Sequence, residues 1–128
     1  MFETPNVMRM AQDLARYSGA RTSLIAKNIA NADTPGYRAR DFSSFAEALS
    51  STAGGDLRRT RAAHMQAGSA DASWRVVDAG GTPSPNGNTV SLEEEMVRAT
   101  RAQSDHNMAL AVYRGSLDIL RGALGRGR

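Results

Sequence analysis

Two stretches of the chain show a regular alternation of apolar and polar positions, and they stand near its two ends. In the first, Val7, Met10, Leu14, Tyr17, Arg21, Leu24 and Asn28 recur at steps of three and four. That spacing is the a/d seam of a heptad helix. A second stripe runs beside it: Met8, Ala11, Ala15, Ser18, Thr22, Ile25 and Ile29. It is mostly small, which lets another helix approach closely. Thr4 as N-cap and Pro5 at the first helical position open this helix, predicted from Pro5 to about Ala30. The second periodic stretch runs from Leu92 to about Leu124. Its seam is Met96, Ala99, Gln103, His106, Leu110, Tyr113, Leu117, Leu120 and Leu124. Its small stripe is Ala102, Asp105, Ala109, Val112, Ser116, Ile119 and Ala123. Ser91 and Glu94 are spaced as a capping box, and Glu93, Glu94 and Glu95 complement the positive end of the helix dipole.

A globular helix normally presents one apolar face. Two stripes on each helix fit either a broad core-facing surface in a small bundle or two different helical neighbours. Arg21 and Asn28 inside the first seam are polar residues of the kind that fix register or partner. The expected fold is mainly α, with the long terminal helices paired as a coiled-coil-like hairpin and an irregular middle. On this reading residues 1–31 with 91–128 form one axial helical domain. Residues 32–90 form a turn and an irregular outer or linker segment.

Between the helices the chain turns at once. Asn31 and Asp33 are turn formers, and Thr34 before Pro35 is pushed out of helical geometry. Pro35-Gly36 suits the central pair of a type II turn, with Gly36 accepting a positive φ. Residues 37–42 read as extended, and 42–49 as a short helix of about two turns. From Ser50 to Asn88 the composition shifts to Gly, Ser, Thr, Ala and Asp. There Trp74-Arg-Val-Val77 is the one plausible strand, too short to stand alone. Pro83-Ser-Pro85-Asn-Gly87 marks a further loop.

Composition narrows the function. The 128 residues include no cysteine, which excludes disulfides and thiolate chemistry. Aromatic residues make up only 5% of the chain, so the core is thin. The formal net charge is +3, almost all of its cations being arginine. Arg58-Arg59-Thr-Arg61 is the densest cluster and has no interleaved aromatics for base stacking, so nucleic acid is not expected as a partner. The two histidines, His64 and His106, are far apart and no metal-ligand spacing occurs. No phosphate-binding loop or catalytic signature is present. The expectation is a protein that is not an enzyme, with no catalytic residue, metal or cofactor. The N-terminus shows no signal-peptide pattern, and no stretch is long enough to span a membrane.

The most specific lettering is Asn28-Ile-Ala-Asn31-Ala-Asp-Thr34-Pro35-Gly36-Tyr37. It resembles the helix-end motif Asn-x-x-Asn-x-x-Thr-x-Gly-Tyr of the bacterial flagellar rod and hook family. The continuation Arg38-Ala-Arg-Asp-Phe42 and the segment Asn86-Gly-Asn-x-Val90-x-Leu-Glu-x-Glu-Met96 resemble its proximal rod members. The resemblance covers residues 5–49 and 83–124. It implies a structural subunit of the basal-body rod that polymerises through its terminal helices. It implies the motif residues Asn28, Asn31, Thr34, Pro35, Gly36 and Tyr37 as the joint. With the periodicity, it suggests Val7, Met10, Leu14, Tyr17, Leu24, Met96, Leu110, Tyr113, Leu117, Leu120 and Leu124 as the assembly interface. The implied partners are further copies of the chain, other rod subunits, a FliE-like adaptor, the export gate and the basal-body ring proteins. The implied route is type III export without a cleaved signal, to the periplasmic rod. Another axial rod or hook subunit is the alternative, and a cytoplasmic helical adaptor a more distant one.

Overall fold

The computed structural model describes residues 6–53 and 74–125. The Thr4-Pro5 start, the Arg58–Arg61 cluster and His64 lie outside that range. Helix α1 spans Asn6–Ala30, strand β1 Arg40–Phe42, helix α2 Phe45–Ala53, strand β2 Val76–Asp78 and helix α3 Leu92–Gly125. At 1.5 Å per residue α1 is roughly 37 Å long and α3 roughly 50 Å. The two pack antiparallel: as α1 runs back from Asn28 to Ala15, α3 runs on from Glu95 to His106, with contacts at both ends of that span. In the same register α3 continues past the described start of α1.

The face that α1 turns to α3 is the small stripe. Met8, Ala11, Ser18 and Ile25 are buried on α1, and Ala102 and Ala109 on α3. Alanine and serine at these places let the backbones approach and leave little side-chain volume inside. The larger seam residues are distributed differently. Val7, Met10, Met96, Leu120 and Leu124 are exposed, whereas Leu14, Leu24, Leu110, Tyr113 and Leu117 are half-buried along the edges of the contact. His106 packs at half burial with Nδ1 3.3 Å from the Ala15 carbonyl, as a satisfied histidine does.

Tyr17 departs from the seam reading. It is only 4% exposed and faces the middle of its own chain. Its ring meets Phe42, Phe45 and Trp74 at centroid separations of 6.1, 5.6 and 5.7 Å, and its hydroxyl donates to the Ser43 carbonyl at 2.8 Å. Four of the chain's seven aromatics, Tyr17, Phe42, Phe45 and Trp74, are gathered here, a second small core that fixes the middle segment onto α1. Burial pushes the Tyr17 phenol above its ordinary range.

The middle is more regular than its composition suggests. Strands β1 and β2 pair antiparallel with Asp41 opposite Val77. Flanking bonds from Ser43 N to Arg75 O and from Ala79 N to Ala39 O extend the ladder at both ends. Neither strand is long enough to read with assurance from sequence. Each becomes a strand because the other supplies its hydrogen-bond partners.

Candidate functional site

The end of α1 is closed by residues drawn from both halves of the chain. Gly36 has φ +70°, and Tyr37 N donates to Thr34 O at 3.2 Å, so Thr34–Tyr37 is the expected turn with Pro35 and Gly36 at its centre. Asn31 folds its amide back to Lys27 O at 2.8 Å and accepts from the Thr34 hydroxyl at 3.3 Å. These bonds satisfy some of the carbonyls that every helix leaves free at its C-terminus.

Asn88 satisfies others. It is 2% exposed, and its Nδ2 lies 2.9, 2.8 and 2.8 Å from the carbonyls of Asn31, Ala32 and Thr34. Its Oδ1 accepts from Val90 N at 2.7 Å. One side chain from the approach to α3 thus plugs the exit of α1. Around it the main chains are stitched together: Gly36 N to Asn86 O at 2.9 Å, Thr89 N to Tyr37 O at 3.0 Å, and Ala39 N to the Thr89 hydroxyl at 2.9 Å.

Asn28 lies at the centre and is fully buried. Its Nδ2 donates to Arg40 O at 2.7 Å and to Glu95 Oε2 at 3.2 Å. Its Oδ1 accepts from Arg40 N at 3.2 Å and from the Tyr37 hydroxyl at 3.3 Å. All four hydrogen-bonding positions of the amide are used. Because it bonds both the N–H and the C=O of Arg40, it occupies the place of a neighbouring strand along the outer edge of β1.

Glu95, also fully buried, meets Asn28 from α3 and accepts from Arg98 Nη1 at 2.6 Å. Arg98 reaches on to Glu94 at 3.2 Å and to Ala79 O at 3.4 Å. A buried carboxylate is tolerated because it is paired and hydrogen-bonded. The capping box is correspondingly half-formed. Glu94 N sits 3.5 Å from Ser91 Oγ, and the Glu94 carboxylate turns to Arg98 rather than back to Ser91. The Ser91 hydroxyl donates instead to Glu93, whose carboxyl its own backbone N–H and that hydroxyl hold below the usual range.

Arg21, the other polar seam residue, forms a two-pronged pair with Asp41 on β1, at 2.8 and 2.6 Å. Burial works against an ionised Asp41, but the Arg21 guanidinium and the Phe42 N–H hold its carboxyl below the ordinary value. The same bond to Asp41 raises Arg21 above its own.

The structure therefore brings together Asn28, Asn31, Thr34, Gly36 and Tyr37, with Pro35 on the exposed outer corner. It adds Asn88, Thr89, Glu95, Arg98 and Asp41. Three of these carried a sequence signal: Asn88 and Glu95 stand in the Asn86–Met96 segment of the resemblance, and Asp41 in its Arg38–Phe42 continuation. Nothing in the sequence marked Asp41 as the partner of Arg21. Among the described residues no group of acidic or histidine side chains is placed to hold a metal ion. The joint is a set of hydrogen bonds that ties the end of α1, β1 and the approach to α3 together.

Comparison with known proteins agrees with this geometry. A family model described as flagella basal body rod protein matches residues 20–38, the second half of α1 and the turn. The flagellar basal body rod protein FlgB of Salmonella typhimurium is 33% identical over 132 residues, covering 90% of this chain and 93% of that protein. FlgB of Escherichia coli is 31% identical over 123 residues, covering 86% of each. FlgB of Cereibacter sphaeroides is 37% identical over 93 residues, covering 72% of this chain and 73% of that protein. The chain belongs to the FlgB family of flagellar basal body rod proteins, structural subunits of the rod and not enzymes.

Proposed function

We propose that the chain serves as a proximal rod subunit whose terminal helices each work in two directions. The small stripes hold α1 and α3 together within one subunit, and the larger residues left outside meet neighbouring subunits. One observation carries this reading. Inside the hairpin Ala11, Ser18, Ala102 and Ala109 are buried beside Met8 and Ile25, while Val7, Met10, Met96, Val97, Met108, Val112, Ile119 and Leu124 stand exposed on the same two helices. This inverts the arrangement of an isolated globular protein, and large apolar patches of that kind mark interaction surfaces.

On this proposal the axial unit is residues 1–31 with 91–128, and residues 32–90 form the outer unit that the joint sets at an angle to it. Of the expected interface residues, Val7, Met10, Met96, Leu120 and Leu124 are the directly available ones. Leu14, Leu24, Leu110, Tyr113 and Leu117 contribute their outer edges, and Tyr17 acts through the aromatic cluster that fixes the outer unit. The partners are copies of the chain, other rod subunits, a FliE-like adaptor, the export gate and the ring proteins. The subunit reaches the periplasmic rod through the flagellar type III apparatus. No described helix is long and apolar enough to cross a membrane, which is compatible with that route.

The absence of native cysteine makes the test direct. Cysteines placed singly at Met96 and at Val112 are expected to cross-link rod subunits to one another in purified basal bodies. Cross-links that form only within free cytoplasmic complexes would favour an adaptor role instead.

A further inference from the structure

Asn86-Gly87 is the sequence most prone to spontaneous loss of a side-chain amide, and in this fold it sits inside the joint. We propose that Asn86 is a latent deamidation site, held unreactive while the joint is closed and released when the joint opens. The proposal does not depend on how the subunit assembles.

The chemistry needs no outside reagent but water. The backbone nitrogen of Gly87 attacks Cγ of Asn86, an N–C bond forms, and the amide nitrogen leaves as ammonia, taking up the proton that Gly87 gives up. The resulting succinimide is opened by water at one of its two carbonyls, leaving either Asp or isoaspartate at position 86. Glycine permits this because it has no side chain to obstruct the ring and the backbone freedom to reach it.

Three bonds oppose the attack in the closed joint. The Gly87 N–H, which must be surrendered, donates to Ser84 O at 2.8 Å. The Asn86 Oδ1 accepts from Asn88 N at 3.0 Å, which fixes the side chain. The Asn86 carbonyl accepts from Gly36 N at 2.9 Å, which fixes the main chain. Asn86 and Gly87 are both exposed, so water is at hand and the restraint is conformational. That restraint depends on the whole joint, because Asn88, the next residue but one, is itself locked onto the end of α1.

The two products differ in consequence. Asp at 86 keeps an oxygen acceptor for Asn88 N. Isoaspartate routes the main chain through the former side chain, so the backbone gains one atom and the carbonyl that accepted from Gly36 N becomes a pendant carboxylate off the main chain. That displaces one anchor or the other, so the joint cannot reclose as before. A chain that stays open too long thereby loses its ability to form the joint.

The test follows the intact mass and peptide map of the purified full-length chain in mildly alkaline buffer. The reference is the same chain unfolded in urea. Deamidation at Asn86 is expected to be at least about tenfold slower in the folded chain, since it requires local opening. Asn88→Ala is expected to bring the rate most of the way to the urea value. A folded rate within about twofold of the urea rate overturns the proposal, as does an unchanged rate in folded Asn88→Ala. If that variant does not fold, the native chain is titrated through low urea. Modification at Asn86 must then rise in step with hydrogen exchange at the Gly87 amide, and a rate insensitive to opening overturns the proposal.

Discussion

Asn28 of α1 donates its side-chain amide to the carboxylate of Glu95 on α3, across 67 residues of sequence, and both side chains are fully buried. The contact ties the two helices at the level where the chain also turns outward. Removing the carboxylate leaves one Asn28 donor unpaired away from water and takes from Arg98 the shortest of its contacts, leaving it Glu94 and the Ala79 carbonyl. Glu95→Ala is therefore expected to destabilise the chain by about 3 kcal/mol. Glu95→Gln, which keeps an acceptor for Asn28, should cost less. Urea denaturation of the two variants measures the difference, and equal losses would mean that only packing volume matters at this position.

Asn88 tests the exit of α1. Asn88→Ala removes a donor shared by three carbonyls and leaves Ala32 O without one, since Asn31 O and Thr34 O keep backbone donors, at a cost of about 2 kcal/mol. Asn88→Asp is nearly isosteric but places acceptor oxygens against those carbonyls. Asp is thus expected to be the worse substitution at neutral pH and to recover on acidification, as protonation restores a donor. Thermal melts across pH decide this, and an Asp variant as stable as wild type would contradict the plug.

Gly36 is required for its backbone angle and not for space. A Cβ built there meets nothing within 4 Å, while φ is +70°. Gly36→Ala should cost roughly 1–2 kcal/mol, the left-handed penalty of an L residue. Gly36→Val should cost more and abolish motility. Gly36→Asn, which tolerates this region better, should retain part of the stability. Melting temperatures in the order Gly, Asn, Ala, Val are the expected result.

The Arg21–Asp41 pair gives the chain an acid limit. The Asp41 carboxyl is lower in the folded chain than its unfolded value of about 3.9. A depressed carboxyl contributes stability above the unfolded value, and that contribution is lost as pH falls through the folded one. Stability should then be level at neutral pH and decline below about pH 4. Asp41→Asn is expected to be less stable at neutral pH and to show a shallower acid decline. An unchanged acid slope in that variant would assign the transition to other carboxylates.

Leu124 and Met96 separate folding from assembly. They are 80% and 65% exposed, so a charge there leaves the subunit's own packing intact. Leu124→Asp and Met96→Asp are expected to fold normally by circular dichroism and to be lost from purified basal bodies, because the charge enters a packed contact. Intact rods containing either variant would remove that position from the proposed interface.

Much of this fold was legible because its signals are local. Heptad spacing gave both long helices, and the end of α1 and both ends of α3 lie within a residue of the expected ones. Pro35-Gly36 gave the turn through the fixed φ of one residue and the free φ of the next. The motif lettering gave the family. The two short strands, the burial of Tyr17 and the use of Glu95 were not legible to the same degree. Each depends on a partner far along the chain: Arg40–Phe42 on Val76–Asp78, Tyr17 on Trp74, Glu95 on Asn28.

By itself, the sequence determined that two striped helices flank a turn after Asn31, since periodicity and backbone restriction act over a few residues. Only the tertiary structure decided which stripe faces inward. Over Met8–Ile25 and Ala102–Ala109 it is the small one, because alanine and serine permit close helix approach, whereas Val112 and Ile119 further along that stripe stay exposed. It also showed why Arg21 and Asn28 interrupt an apolar seam. Their partners are Asp41, Arg40, Tyr37 and Glu95 of the same chain, and a buried polar group is tolerated only where such partners are brought to it.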